Sequence, residues 1–285
     1  GASPRRASLP PSSTTSTAGW CLRSRAGSRT SAPAVVSPLM LALTTAGGDR
    51  TDTRLPATQQ KLLEAVHATG KPVVLVLTTG SALAVDWAEQ NLPGIVVAWY
   101  PGQRGGNAVA DVLFGDANPA GRLPVTFYKA GEKLPAFDDY AMAGRTYRYF
   151  GGEPLYPFGH GLSYTTFDYS GLRLDRTRAS AGQPVKATVT VRNSGARAGD
   201  EVVQLYARAP QGDGRPLKEL RGFQRVHLQP GEARDVVFTL DPGKDLRHYD
   251  EQAQAYAVVP GEYELQVGAS SADIRARTRL AVEQD

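Results

Sequence analysis

Two apolar runs, Val73-Val-Leu-Val-Leu77 and Ile95-Val-Val-Ala-Trp99, decide the fold of the first half of the chain. Both lack polar alternation, as expected of strands that are covered on both faces of a sheet. A stretch around Ala84–Gln90 lies between them and has helical character, so the order is strand, helix, strand. Strands that alternate with helices predict an α/β layer with a mostly parallel sheet.

Helix signals flank these strands on both sides. Pro56 suits the first turn of a helix that precedes Val73. The predicted apolar stripe of that helix consists of Leu62, Leu63 and Val66. A further helix is predicted near Ala108–Phe114, where Gly115 supplies the stop signal. The α/β order therefore extends on either side of the two strands.

The loops Thr78–Ala82 and Tyr100–Gly106 follow the two predicted strands. In open α/β sheets, ligands bind outside the carboxyl ends of the strands, so these loops mark the expected ligand edge. The second loop contains Gly102-Gln-Arg-Gly105-Gly106, which resembles a phosphate loop only loosely. It lacks the Gly-Lys-Ser/Thr ending and the dinucleotide fingerprint, so phosphate binding is not favoured.

Beyond about Gly161 the hydrophobic pattern changes from helical to alternating. Alternate residues are apolar over Val185–Val191, Val203–Ala207, Val236–Leu240 and Tyr263–Val267, and Pro-Gly pairs separate the later segments. Several short strands at this spacing predict an immunoglobulin-like β-sandwich. We therefore predict an α/β sandwich domain over residues 46–160, incomplete at its N-terminus, and an all-β sandwich over residues 161–285.

Residues 1–45 differ from the rest of the chain. They are rich in Ser, Thr, Pro, Arg and Ala, and five arginines precede Asp49, the first acidic residue: Arg5, Arg6, Arg23, Arg25 and Arg29. We expect disorder or poor packing there, in either a natural linker or targeting segment or a stretch translated out of frame. Because the net charge of +4 is concentrated in this segment, no nucleic-acid interface is expected. No apolar run is long enough for a membrane span.

Few residues indicate chemistry by their spacing. The histidines have no metal-ligand spacing: His67, His160, His227 and His248. Cys21 lies in the opening segment, where a catalytic thiol is improbable. Asp138 and Asp139 are paired acids between Phe137 and Tyr140, an arrangement that sugar chemistry uses, although a solvated acidic turn is the favoured interpretation.

A dense basic and aromatic cluster occupies Arg145–Phe150. Aromatic faces stack on sugar rings and guanidinium groups donate hydrogen bonds to hydroxyls, which would suit a sugar site. Packing between the two predicted domains explains the same residues equally well.

Several long motifs resemble glycoside hydrolase family 3 and occur in that family's order. The C-terminal α/β sandwich domain of the family is similar to Ala98–Gln103, Asp111–Phe127, Gly144–Phe150 and Pro154–Tyr164. Its fibronectin type III-like domain is similar to Gly199–Tyr206, Lys218–Phe223 and Pro260–Ser271. The resemblance covers the chain from roughly Ala46 to its end.

The resemblance implies a retaining exo-β-glycosidase that releases terminal β-linked glucose or xylose, with two carboxyl groups about 5–5.5 Å apart. In the family, the nucleophile is an Asp on an N-terminal (β/α)8 barrel, and the acid/base is a Glu just before a Gly-Asp-Arg-like stretch. Here Gly47–Arg50 matches that stretch, yet residues 31–48 contain neither Asp nor Glu. We therefore expect no catalytic residue in this chain and no activity without the barrel. A frameshift or gene-model error upstream of Ala46 would explain the missing Glu.

The same resemblance makes Asp49, Arg50, Arg145 and Tyr147 the candidate substrate-binding residues. It implies a β-linked oligosaccharide or glycoside as substrate, the missing barrel as partner, and a periplasmic or secreted location. It implies no metal and no cofactor, because acid/base chemistry on glycosides needs none. Arg104 stands where many relatives have an acidic residue, which makes a role of its loop in sugar binding less secure.

Two other interpretations stay open at this point. One is a non-catalytic carbohydrate-binding or structural module that works without a barrel. The other is a subunit that completes the active site of another chain.

Overall fold

The computed structural model describes residues 34–36, 52–136, 138–210, 212, 214–250 and 253–284. Cys21, Asp49 and Arg50 lie outside the described residues, as does most of the segment 1–45. Residues 34–36 of that segment form a strand, and for its other residues the expectation of disorder or a shifted reading frame stays a prediction.

The first part of the chain is an α/β layer around three parallel strands in the order β1-β2-β3. Its elements are β1 (Ala34–Val36), α1 (Ala57–His67), β2 (Val73–Leu77), α2 (Asp86–Asn91), β3 (Gly94–Val97), α3 (Gly105–Phe114) and α4 (Thr146–Tyr149). The strand β3 is buried along its whole length and β2 at four of its five residues. The two apolar runs are thus confirmed as covered parallel strands.

Helices cover both faces of this sheet. On one face, Leu75 and Ile95 share a hydrophobic cluster with Leu63 of α1 and Ala88 of α2. On the other face, Val76 and Val96 form a cluster against which the α3 side chains Val109 and Leu113 pack. The arrangement is the α/β sandwich that the sequence predicts.

Helix α1 follows Pro56 as predicted, but its predicted apolar stripe is wrong at one position. The side chain of Leu63 is 1% exposed, whereas Leu62 is 57% exposed. Neighbouring residues of an α-helix point roughly 100° apart, so both leucines could not face the sheet.

Strand β1 was not predicted. It pairs in parallel with β2 from Ala34 opposite Val73 to Val36 opposite Leu75. A strand of three residues is too short to show a periodicity, so the residue pattern alone does not predict it. The start of the α/β domain stays a prediction.

The second part of the chain is a β-sandwich. A five-stranded sheet has the order β5-β13-β12-β7-β8, a three-stranded sheet has the order β4-β6-β9, and β10 and β11 form a separate hairpin. The elements are β4 (Phe167–Leu174), β5 (Arg178–Ala179), β6 (Val185–Asn193), β7 (Gly199–Arg208), β8 (Glu219–Leu228), β9 (Ala233–Leu240), α5 (Pro242–Asp245), β10 (His248–Asp250), β11 (Ala255–Ala257), β12 (Gly261–Gly268) and β13 (Ile274–Val282).

The core of the sandwich follows the predicted alternation. The inward residues Val185, Ala187, Val189 and Val191 of β6 are fully buried, in one cluster with Val203, Leu205 and Leu265 of the facing sheet. On β7, however, the alternate residues Gln204 and Tyr206 are also buried, with 3% and 0% exposure. The outer face of this sheet is therefore covered as well, by the α/β part of the chain.

Candidate functional site

The carboxyl edge of the parallel sheet is built from the loops after β2 and β3. In the first loop, the buried Thr79 hydroxyl donates to the Ser81 carbonyl at 2.9 Å, which closes a tight turn. The ring of Tyr100 lies over Gly80 so closely that a Cβ on Gly80 would meet Tyr100 Cε2 at 2.8 Å. Tyr100 itself is 66% exposed, so the edge presents an aromatic side chain to solvent.

Trp99 joins β3 to this edge with a left-handed backbone, at φ 52°. Such a conformation is strained for a bulky side chain and is common at functional sites. The Trp99 ring is held edge-on against Phe127, with ring centroids 6.3 Å apart. The packing of the indole fixes the direction in which the chain leaves β3.

The segment that follows Asp49 and Arg50 returns to the same part of the fold. The Ala84 amide donates to the Thr53 carbonyl at 2.9 Å, and Arg54 forms a parallel bridge with Ala84, just beyond the β2 loop. Thr53 lies only three residues after Arg50 in the chain. The described chain thus resumes beside the predicted ligand edge.

Arg145 braces the loop that contains Asp138 and Asp139. Its guanidinium donates to the carbonyls of Ala136 at 2.7 Å and Asp139 at 2.8 Å, and its Nε donates to Ala141 at 3.3 Å. Through these hydrogen bonds the guanidinium holds the loop in its conformation. Whether Arg145 also contacts a sugar stays a prediction.

Asp138 and Asp139 are both exposed. The Asp139 carboxylate accepts a hydrogen bond from the Ala141 amide at 2.8 Å, which is the geometry of an Asx-turn. This arrangement matches the solvated-turn interpretation of the two acids.

Tyr147 lies at the junction between the α/β layer and the sandwich. Its ring stacks on Phe158 with centroids 4.4 Å apart and meets Tyr206 of β7 edge-on at 5.8 Å. Its hydroxyl accepts the Leu220 amide of β8 at 3.0 Å. Of the two interpretations of the Arg145–Phe150 cluster, these contacts match interface packing, and sugar binding by Tyr147 stays a prediction.

A buried ion pair that no local sequence pattern indicates reinforces the junction. Arg122 donates to Glu201 of β7 at 2.8 Å, and their side chains are 8% and 6% exposed. The Glu201 carboxylate also accepts the amide of Val202 at 2.8 Å. Ionised groups this deeply buried are held in place by one another, because either alone would be costly.

Gln204 and Asn118 complete the junction. Gln204 donates to the carbonyls of Gly159 at 3.1 Å and Ala269 at 2.6 Å, and accepts the Tyr206 hydroxyl at 2.6 Å. Burial raises the pKa of Tyr206, so that hydroxyl stays protonated and remains a donor. Asn118 donates to the Ala198 carbonyl at 3.0 Å. For Gln204, the only signal in the sequence was the alternation of apolar and polar residues along β7.

The described residues include no group of three or more His, Cys, Asp or Glu side chains placed to hold a metal ion. None of the helices in the described part of the chain has the length and apolar character that a bilayer span requires. His160, one of the scattered histidines, stacks on Tyr156 with centroids 5.3 Å apart and belongs to the domain junction.

Two family models match the chain in the order in which the two folds occur. The model described as glycosyl hydrolase family 3 C-terminal domain matches residues 25–164, and a fibronectin type III-like domain matches residues 201–271. The first match begins within the segment 1–45, ahead of the boundary predicted at residue 46.

Characterised proteins and solved structures agree with these matches. The chain is 45% identical to a xylan 1,4-β-xylosidase of Xylanibacter ruminicola over 80% of its own length and 26% of that relative. It is 39% identical to a periplasmic β-glucosidase of Salmonella typhimurium over 79% of its own length and 31% of that relative. A β-glucosidase structure from Erythrobacter marinus superposes with a TM-score of 0.73 at 41% identity, covering 83% of this chain and 31% of that one.

The β-glucosidase DesR from Streptomyces venezuelae, in complex with D-glucose, superposes with a TM-score of 0.75 at 36% identity. This match covers 83% of the present chain and 32% of DesR. The chain therefore spans less than a third of the length of each of these four relatives.

Proposed function

We propose that this chain, which belongs to glycoside hydrolase family 3, is the C-terminal portion of an exo-acting retaining β-glycosidase that releases terminal β-linked glucose or xylose. One observation carries the proposal: a glycosyl hydrolase family 3 C-terminal model and a fibronectin type III-like model match the two parts of the chain in that order, and the relatives matched over 80% and 79% of the chain are a xylan 1,4-β-xylosidase and a β-glucosidase. The relatives are about three times longer, so the activity belongs to a longer protein than this sequence.

The reaction determines which catalytic residues the longer protein needs, and these can be assigned to its parts. A retaining glycosidase needs a carboxylate nucleophile and a carboxylic acid on either side of the bond to be cleaved. We assign the nucleophile to a (β/α)8 barrel, the partner of this chain, and no catalytic residue to the chain itself. The exposed acidic turn at Asp138 and Asp139 supports that assignment, because neither acid lies in an enclosed pocket.

The carboxyl edge of the parallel sheet is the part of this chain that we expect to face the substrate. Asp49 and Arg50 remain our candidates for contacts with the sugar, since the chain resumes beside that edge at Thr53. Arg145 and Tyr147 remain candidates too. Their present contacts favour a positioning role, in which Arg145 holds a loop and Tyr147 holds the domain junction.

Hydrolysis of p-nitrophenyl β-glucoside and β-xyloside tests the proposal. We expect no turnover above buffer from the chain alone, and turnover when a family 3 barrel precedes it in the same polypeptide with the acid/base Glu restored. The preferred glycoside then identifies the sugar. Clear turnover by the chain alone would contradict the assignment of both catalytic carboxylates to other parts of the protein.

The proposed frameshift upstream of Ala46 has its own test in the nucleotide sequence. Translation of the other two frames should give a family-like segment with a Glu immediately before the Gly47–Arg50 stretch. If neither frame contains such a segment, the frameshift hypothesis fails, while the family assignment of the rest of the chain is unaffected.

A further inference from the structure

The hairpin of β10 and β11 carries two exposed aromatic side chains side by side. Tyr249 and Tyr256 are directly opposite each other in the antiparallel pair. Their ring centroids are 5.4 Å apart at an interplanar angle of 71°, and the residues are 47% and 65% exposed. Neither ring belongs to the core of the sandwich.

A guanidinium restrains one of the two rings. The Arg247 guanidinium lies over the Tyr256 ring, 4.9 Å from its centroid, a cation–π arrangement that restricts both side chains. At the start of β10, His248 lines a shallow cleft with the buried residues Leu246 and Tyr263. The cation–π contact therefore reduces the conformational entropy that the Tyr256 side chain would lose when a ligand binds.

The size of the surface limits what it can bind. A stable protein interface needs about 800 Å² from each partner, and two tyrosine side chains supply far less than that. The hairpin around them is polar, and it combines the positive charge of Arg247 with the negative charge of Asp250. A small, flat and neutral ligand with an apolar face and a polar rim fits this surface better than a protein or a polyanion.

We propose that Tyr249, Tyr256 and Arg247 form a glycan-binding platform, separate from the hydrolytic site, for chains of β-linked pyranose sugars. A β-linked glucose or xylose ring with equatorial hydroxyls has axial C–H bonds on both faces, which pack on an aromatic ring. Its hydroxyls lie at the rim, within reach of the tyrosine hydroxyls and the guanidinium. The choice of β-linked sugars rests on the proposed function, whereas the platform itself rests on the hairpin geometry.

Retention on insoluble polysaccharide tests the platform with the chain as it is. We expect the purified protein to bind insoluble xylan or cellulose. The double variant Tyr249→Ala/Tyr256→Ala should bind at least about tenfold more weakly. Arg247→Ala should weaken binding by a smaller factor. Tyr140→Ala is the matched control, because Tyr140 is 93% exposed on a different loop and should leave retention unchanged.

Binding to xylan and to cellulose is measured separately, so the two arms show whether the ligand is a xylan or a glucan. The thermal unfolding midpoints of the wild type and the double variant are compared as a control. Equal midpoints show that the double variant is folded and that its loss of binding has another cause. No retention of the wild-type chain on either polymer, or equal retention of wild type and double variant, overturns the platform. Because no hydrolysis is measured, failure here is distinguishable from failure of the proposed activity.

Discussion

The Arg122 guanidinium and the Glu201 carboxylate are 2.8 Å apart and almost completely buried, one on each side of the junction between the α/β layer and the sandwich. Removal of one member of such a pair leaves the other charge buried without its partner. We expect Arg122→Met to lower the free energy of unfolding by about 3–5 kcal/mol. Urea denaturation followed by circular dichroism measures this directly.

The exposed pair Arg54–Asp52, with side chains 63% and 49% exposed, supplies the control. Arg54→Met should change stability by less than about 1 kcal/mol, because water screens exposed ion pairs. The double variant Arg122→Met/Glu201→Gln should recover part of the loss, since no unpaired charge remains. A double variant as unstable as Arg122→Met alone would argue against the buried charge as the cause.

The pH dependence of stability should contain a contribution from His160. Burial, with the nearby Arg122 charge, lowers the pKa of His160 from 6.5 to about 4, although Asp273 opposes the shift. Between these values the unfolded chain binds a proton that the folded chain does not, so stability falls as the pH falls. We expect roughly 1.5 kcal/mol of loss from this group between about pH 6.5 and pH 5.

Urea denaturation of wild type and His160→Gln at both pH values isolates that contribution. The variant should lose less stability on acidification than the wild type. Parallel behaviour of the two proteins would show that His160 does not cause the pH dependence.

Two substitutions at Tyr147 separate its ring from its hydroxyl. Tyr147→Phe leaves the stack on Phe158 intact but removes the acceptor for the Leu220 amide, which should cost about 1 kcal/mol. Tyr147→Ala also removes the ring and should cost about 3 kcal/mol or more. Unfolding free energies of the chain check both values.

The exposed Tyr140 is the matched control here as well, and Tyr140→Phe should stay within about 0.5 kcal/mol of the wild type. The same Tyr147 variants in the proposed full-length β-glycosidase test the predicted contact with sugar. A higher KM for Tyr147→Phe at unchanged stability would favour substrate binding over packing at the junction.

Gly161 marks a point where two backbone segments approach closely. A Cβ at this position would overlap the carbonyl oxygen of Gly121, a backbone atom that has little freedom to move. We expect Gly161→Ala to cost about 3 kcal/mol. At Gly106 of α3, by contrast, a Cβ meets nothing within 4 Å, so Gly106→Ala should stabilise the protein by about 0.5 kcal/mol. Thermal midpoints that shift in opposite directions would bear this out, and a tolerated Gly161→Ala would contradict it.

The sequence predicted both layers of the fold because burial on two faces and alternate burial leave different patterns. The run Val73–Leu77 has no polar residue, and Val185–Val191 has one at every second position. The strand β1 and the hairpin of β10 and β11 escaped prediction, because strands of three residues are too short for either pattern. Leu62 was misplaced because a list of apolar residues in a helix does not fix which face each one occupies.

The domain junction was less predictable than the fold. Arg122 and Glu201 are 79 positions apart in sequence, and nothing local indicates that they meet. Polar alternation on β7 predicted an outer face for Gln204 and Tyr206, and only the packing of the α/β layer decides that this face is buried. The cluster Arg145–Phe150 was recognised as important, yet its composition suits a sugar site and an interface equally.

The burial of Glu201, Gln204 and Tyr206 on the outer face of β7 has a consequence for how such proteins are assembled in evolution. A sandwich cut free near residue 165 would expose an aromatic ring, an amide and a carboxylate, each of which contacts a residue of the preceding layer. Recombination between genes would therefore succeed when its breakpoint lies upstream of the α/β layer, and fail when it falls between the two parts. The two modules are expected to be inherited as one cassette, even where other parts of a longer protein have been exchanged.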